Sequence, residues 1–298
     1  MKNSLLSILF VFCLASCDKI KDPIVKKQSA VGSKFITKNN ATVSNYKKTL
    51  LEDYTGMKCP NCPDAAVTAA NLLARYGDSL VVISVHAGSF AKPFGNFKED
   101  YRTDVGDIWN GTAGFNIPSN PNGIVNRTNY ASNGLIILQT KWTSAVAMAN
   151  KDAMVVKLDV TTNYDTTAGA LNTEVKAVFK AASSARLSIS IVLIEDEVFG
   201  LQDIRGVETE NYEFKEMLRG AVNGDWGAPL VTSTKKINDT VTYSFNDFNV
   251  KGLKYTVLKT PPFTTKGILV DDKHVSAVVF VFNTDTREVM QVEKVKIR

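Results

Sequence analysis

Residues 59–62 read Cys-Pro-Asn-Cys, and what flanks them limits the fold more than any other feature of the 298-residue chain. Upstream, residues 46–54 (Tyr-Lys-Lys-Thr-Leu-Leu-Glu-Asp-Tyr) have the composition of a strand, which Thr55-Gly56 breaks. Downstream, Ala66, Ala69, Ala70, Leu73 and Ala74 recur near helical spacing until Gly77-Asp78 stops them. The run Leu80-Val-Val-Ile-Ser-Val85 is then short and almost continuously apolar, as expected of a buried parallel strand. Strand, helix, strand is a βαβ unit, whose crossover makes the two strands parallel. The cysteine pair is therefore predicted at a strand-to-helix junction.

That position has chemical consequences. A helix start presents unpaired N–H groups and a partial positive charge, which favour the thiolate of Cys59. Pro60 suits a first helical turn, and Lys58 adds a cation beside the sulfur. Cys62, one turn along, is predicted to be the shielded resolving thiol that attacks a mixed disulfide. Two cysteines three residues apart are too close to staple distant segments, so the pair has a local role: exchange, metal or a static disulfide. Zinc needs about four ligands and the only histidines are His86 and His274, so neither a metal nor a cofactor is expected. His86, ending the second strand, reads as structural. Arg127 and Arg219 are candidate surface partners for a carboxylate. No glycine-rich phosphate loop, Ser-His-Asp set or persuasive carboxylate pair is found.

The chain reads Met1-Lys2-Asn3, then an apolar run from Leu5 to Leu14 broken only by Ser7, and Leu14-Ala15-Ser16-Cys17. This is the anatomy of a secretory signal and is about half the ~20 residues that span a bilayer. The last four residues resemble a bacterial lipobox, which implies acylation of Cys17. Residues 1–16 are thus expected to be a lipoprotein signal peptide and 17–45, rich in Lys, Ser, Asn and Thr, a flexible tether. The net charge of +5 lies partly in that tether and gives no reason to expect nucleic acid as a partner.

Residues 89–119 are expected to form a partly helical insertion over the sheet, 124–126 a strand and 135–150 a closing helix. Past residue 151 the texture is β: Val156, Leu158 and Val160 alternate with polar residues, as do Leu187, Ile189 and Ile191, and Val241, Tyr243 and Phe245. Alternation between turn clusters predicts an antiparallel sandwich, closed by a hairpin of 275–282 with 288–297. A short helix is expected over 212–222. The organisation predicted is an α/β domain, 46–150, followed by an all-β, immunoglobulin-like sandwich domain, 151–298, each packed independently.

The first domain resembles the thioredoxin-like superfamily. Asp53, six residues before Cys59, matches the buried aspartate that assists proton transfer from the resolving thiol. Pro121, directly before Asn122-Gly123-Ile124-Val125, matches the proline that packs in cis beside the cysteines, with Asn120 and Lys58 as implied substrate contacts. Lys58 stands where the superfamily usually has tryptophan, and Pro-Asn replaces Gly-Pro between the cysteines, so the direction of exchange is open. More narrowly, Leu51-Glu-Asp-Tyr-Thr-Gly56, Cys59-Pro-Asn-Cys-Pro63, 121–127 and 282–291 are similar to the Omp28-related outer-membrane lipoproteins of Bacteroidetes, over nearly the whole mature chain. The resemblance implies a location in the cell envelope, lipid-anchored to the outer membrane through Cys17, and is silent on activity. Two functions follow: thiol–disulfide exchange on exported proteins or peptides, or binding and assembly without catalysis, with the sandwich contacting the partner.

Overall fold

The computed structural model describes residues 36–42, 44–132, 134–258 and 265–298. The expected signal peptide, Cys17 and the expected tether as far as residue 35 lie outside the described residues. From Phe35 to Arg298 the chain forms one compact unit.

Its central sheet joins segments from both sides of residue 150. In spatial order it runs β17 (Val289–Lys296), β16 (Val275–Asn283), β8 (Leu187–Glu195), β11 (Met217–Ala221), β3 (Leu80–His86), β2 (Thr49–Thr55) and β5 (Asn122–Val125), with β12 (Ala228–Val231) also paired to β8. Strands β2 and β3 are parallel and in register from Thr49↔Leu80 to Thr55↔His86, and β5 runs antiparallel to β2. The link is β11, antiparallel to β8 along one edge and parallel to β3 at Met217↔Ser84 along the other.

The predicted division into 46–150 and 151–298 as independent domains is therefore corrected. Val81, Ile83 and Val85 share one apolar cluster with Val192, Ile194, Val278 and Phe280, covered by Val105 and Trp109 of α2 (Asp104–Asn110). On the opposite sheet face the halves separate. Leu51, Val82 and Leu80 pack under α1 (Cys62–Tyr76) and α3 (Trp142–Ala149). Ile189, Ile191, Ala277 and Val279 pack against a second sheet of β1 (Ile36–Asn40), β6 (Val156–Asp165), β7 (Ala170–Phe179) and β13 (Thr240–Asn249). The predicted sandwich is thus present as two packed sheets, one of which continues into the βαβ unit.

Smaller corrections have clear causes. Residues 36–40, expected in the tether, form the edge strand β1 against β6. Residues 212–222 are not a helix. They belong to β10 (Val207–Phe214) and β11, separated at Glu216, whose φ of 55° ends one strand before the next. Strand β10 forms a hairpin with β9 (Val198–Ile204) across Arg205 and Gly206, both at positive φ, the conformation of a tight two-residue turn. The remaining strands, β4 (Glu99–Asp100), β14 (Lys254–Leu258) and β15 (Thr265–Leu269), make a small sheet in the order β15-β14-β4.

Arg127 and Arg219 are buried, not surface residues. Arg127 makes a two-pronged ion pair with Glu52 at 2.9 and 2.7 Å, and its guanidinium lies 4.7 Å from the Trp109 ring centre and 4.9 Å from that of Phe280. Arg219 faces Glu195 at 3.2 Å and the Tyr255 ring at 4.9 Å. Neither is available to a partner's carboxylate.

Candidate functional site

Strand β2 ends at Thr55 and Gly56 turns the chain out of the sheet. Cys59 donates its N–H to the Gly56 carbonyl at 2.9 Å, and Cys62 donates to Cys59 at 3.2 Å. Helix α1 begins at Cys62, three residues later than the sequence suggested, so Pro63 and not Pro60 occupies its first turn. Cys59 and Cys62 are joined by a disulfide with their Cα atoms 5.4 Å apart.

Gly56 is fixed by close approach. A Cβ there would sit 2.5 Å from the Ala91 nitrogen and the Phe90 carbonyl carbon, where the Phe90 carbonyl already accepts the Lys58 N–H at 3.1 Å. Gly56→Ala is expected to push the 88–91 loop off the cysteine turn and to cost about 1–3 kcal/mol, as for other overpacked sites. A lowered urea midpoint, with faster reduction of the disulfide by dithiothreitol, checks this.

Cys62 was expected to be the more shielded thiol, but both are buried, Cys59 1% exposed and Cys62 2%. The cover is the β9–β10 hairpin, which no sequence feature placed here beforehand. Asp203 donates its N–H to the Met57 carbonyl at 2.8 Å, Arg205 to Pro60 at 3.0 Å, and Gln202 Nε2 reaches the Cys59 carbonyl at 3.1 Å. The hairpin tip is pinned outside by Arg205 and Asp64, 3.0 Å apart and both exposed. Ile204-Arg205-Gly206-Val207 was the readable signal for a hairpin; its docking site was not readable.

Of the predicted site residues, Asp53 and Cys62 line one cavity of about 230 Å³, together with His86, Gln202 and Tyr212. Asp53 is 2% exposed, and among the described residues its Oδ1 has no hydrogen-bond partner. Burial alone pushes its carboxyl up to about 7. His86 is similarly buried, and among the described residues both its ring nitrogens are unpartnered. Burial, then the charge of Arg219, pushes it down to about 3, so its imidazole is neutral. It packs edge-on against the Phe214 and Tyr101 rings at 5.2 and 5.6 Å.

The other predicted residues lie around this group. The Asn120–Pro121 peptide is cis and leads directly into β5. The Asn120 side chain donates to the Thr55 and Ala87 carbonyls at 2.8 and 3.1 Å, tying the ends of β2 and β3 together. Lys58 extends over the Phe94 ring, 5.7 Å from its centre. Its ammonium is pushed below the usual lysine range by burial and by the neighbouring charges of Lys92 and Arg102.

Asp53 gives the fold a pH signature. An unfolded chain releases this proton near 3.8, the folded one near 7, so between those values the native state binds more protons. The contribution is present in full below the lower value and is lost as pH rises through the upper one. Asp53→Asn is therefore expected to unfold at higher urea than the parent at about pH 8, with the gap closing by about pH 4. Each pH unit between the folded and unfolded values corresponds to about 1.4 kcal/mol. Urea midpoints across that range measure it.

Among the described residues, no group of three or more His, Cys, Asp or Glu side chains is placed to hold a metal ion, and no helix is long and apolar enough to cross a membrane.

No protein-family model matches the sequence, and no curated protein matches it. Among solved structures, the chain is similar to HBP35 of Porphyromonas gingivalis, with 14% identity and a TM-score of 0.58, over 85% of this chain and 76% of that one. At that identity the likeness shows a shared fold. A domain of the outer membrane lipoprotein Omp28 from Porphyromonas gingivalis matches 49% of this chain and 89% of its own length, with 20% identity and a TM-score of 0.29. A score so low carries no structural argument.

Proposed function

We propose that this protein is a lipid-anchored envelope protein whose Cys59–Cys62 pair exchanges thiols and disulfides with exported proteins or peptides. The observation that carries the reading is the position of the disulfide between the end of β2 and the start of α1, with Cys62 sharing a cavity with the buried carboxyl of Asp53. We read β2, α1, β3 and β5 as the core of a thioredoxin-like unit built into the larger sheet. The anchor at Cys17 and an outer-membrane home rest on the sequence resemblances alone.

In the reduced protein the Cys59 thiolate attacks one sulfur of a substrate disulfide. A Cys59–substrate bond forms and the other substrate sulfur leaves as a thiolate, which takes a proton from water. Asp53, ionised, accepts the proton of Cys62 across the cavity. The Cys62 thiolate then attacks Cys59, the second substrate sulfur leaves, and the protein is left with the disulfide seen here; two electrons have passed to the substrate. The reverse sequence oxidises a substrate dithiol. In either direction the β9–β10 hairpin lifts from residues 57–60 to admit the substrate.

The second reading is a binding or assembly lipoprotein with a static disulfide. It is favoured by one observation, the near-complete burial of both cysteines beneath that hairpin. Reduced protein mixed with a disulfide-linked model peptide separates the two. Exchange predicts that the parent chain reduces the peptide, that Cys62→Ser stalls as a mixed disulfide through Cys59, and that Cys59→Ser is inert. Peptide reduction no faster than with free cysteine, in every form, supports the static bond.

A further inference from the structure

The cavity beside Cys62 extends well beyond the sulfur. Helix α1 carries two apolar stripes. Cys62, Ala65, Ala69 and Leu72 face the core. Ala66, Ala70 and Leu73, at i, i+4 and i+7, face the β10 side and line the cavity, with Val67, 59% exposed, at its rim. Two of the three side chains in that second stripe are alanines, so the space between helix and hairpin stays open.

The floor is polar. Because β2 and β3 are parallel and in register, Asp53 stands beside Ser84 and Thr55 beside His86, and all four line the cavity. Among the described residues, Asp53 Oδ1 and both His86 nitrogens lack partners, and a buried polar group left unsatisfied is costly. Among the described residues no lysine or arginine acts on Asp53, whose shift is caused by burial. Arg219, the cation felt by His86, is engaged by Glu195 at 3.2 Å.

We propose that this cavity binds a small primary amine with an apolar tail, the ammonium seated between Asp53 and His86 and the tail along Ala66, Ala70 and Leu73. The donors and acceptors match. An ammonium has three N–H groups and no acceptor, the floor offers a carboxylate and the lone pair of a neutral imidazole, and the Ser84 and Thr55 hydroxyls stand beside them. The size matches as well: an apolar cavity of about 150 Å³ holds benzene, so about 230 Å³ accommodates a six-carbon amine. The site does not depend on the exchange chemistry, since the residues that would hold the ligand are in place with the disulfide closed.

The bound ammonium requires Asp53 ionised, so amine affinity is expected to fall about tenfold per pH unit below about 7. The other titratable groups facing Asp53 leave that dependence intact. His86 on β3 is neutral down to about 3. Cys62 on α1 is locked in the disulfide. Burial and the charge of Asp53 push Tyr212 on β10 upward. Glu213 and Glu216 outnumber Lys215 along the same wall, although Glu216 is held by Lys294 at 2.6 Å.

The test is calorimetric titration of the full oxidised chain in detergent with hexylamine and, separately, hexanol. At pH 8 hexylamine is expected to bind about 10- to 100-fold more tightly than hexanol, the range for a charge-assisted hydrogen bond. That advantage should shrink about tenfold at pH 6, vanish in Asp53→Asn, and give way to loss of both ligands in Ala70→Trp, which fills the tail channel. Equal affinity for the two ligands at pH 8, binding of neither, or an amine preference insensitive to pH overturns the proposal. The pH comparison uses the parent chain and so stands even where a variant fails to fold.

Discussion

A fragment from Met154 to Arg298 is expected to show no cooperative unfolding. Cutting there removes β2, β3 and β5 from the central sheet and exposes the edge of β11 that pairs with β3 at Met217↔Ser84. It also strips α2 from Val192, Ile194, Val278 and Phe280, which share a cluster with Val105 and Trp109. The ties continue outside that cluster. Lys48, just before β2, is fully buried against Glu293 of β17 at 2.6 Å, Gln291 Oε1 accepts the Lys48 N–H at 2.7 Å, and Val289 donates to the Asn126 carbonyl at 2.9 Å. A domain that folds alone needs its own core and few crossing contacts. Calorimetry of the fragment decides: a sharp transition with matching calorimetric and van't Hoff enthalpies would show that the second half is independent after all.

Glu52→Ala should be among the most destabilising single substitutions in the chain, at about 3–5 kcal/mol, because it leaves the Arg127 guanidinium charged and unpaired in the interior. Arg127 connects the two halves: Glu52 lies on β2, Phe280 and Phe282 on β16, and Trp109 on α2, with the rings 4.7–5.7 Å from the guanidinium. Against a total stability of about 5–15 kcal/mol such a loss leaves little margin. Glu52→Leu combined with Arg127→Met should cost clearly less than the sum of the single changes, since neither charge then remains alone. Urea midpoints at constant m measure both; strictly additive losses would show that the ion pair and its aromatic surround are not coupled.

What could be read from the sequence follows the range of each interaction. The βαβ unit was legible because its signals are local: continuous apolar residues for β3, 3.6-residue spacing for α1, and Gly56 and Gly77 as punctuation. Cys62 was legible by spacing and Asp53 through the thioredoxin-like resemblance, and they line the same cavity. The domain boundary was misread because alternation reports which face of a strand is buried and not which strand lies beside it. Residues 187–191 alternate in sequence, yet β8 is buried on both faces. Residues 212–222 have good helix formers, but pairing with β8 and β9 overrides that preference. The edge strand β1 is polar, as edge strands often are, and so reads as tether. For Arg127 no local signal exists, since its ion-pair partner and the rings around it are all more than ten residues away in sequence. The same holds for the hairpin over the cysteines, which is contributed from more than 130 residues downstream.

Both cysteines are buried beneath the β9–β10 hairpin, so on the proposed mechanism the cost of access lies in undocking that hairpin. The reduction potential of the Cys59–Cys62 pair, measured by equilibration against dithiothreitol or glutathione and read by thiol alkylation, tests the central proposal most directly. A potential above about −300 mV, among those of working oxidoreductases, is the predicted result. A potential well below about −300 mV would mark an inert structural bond and contradict the exchange reading.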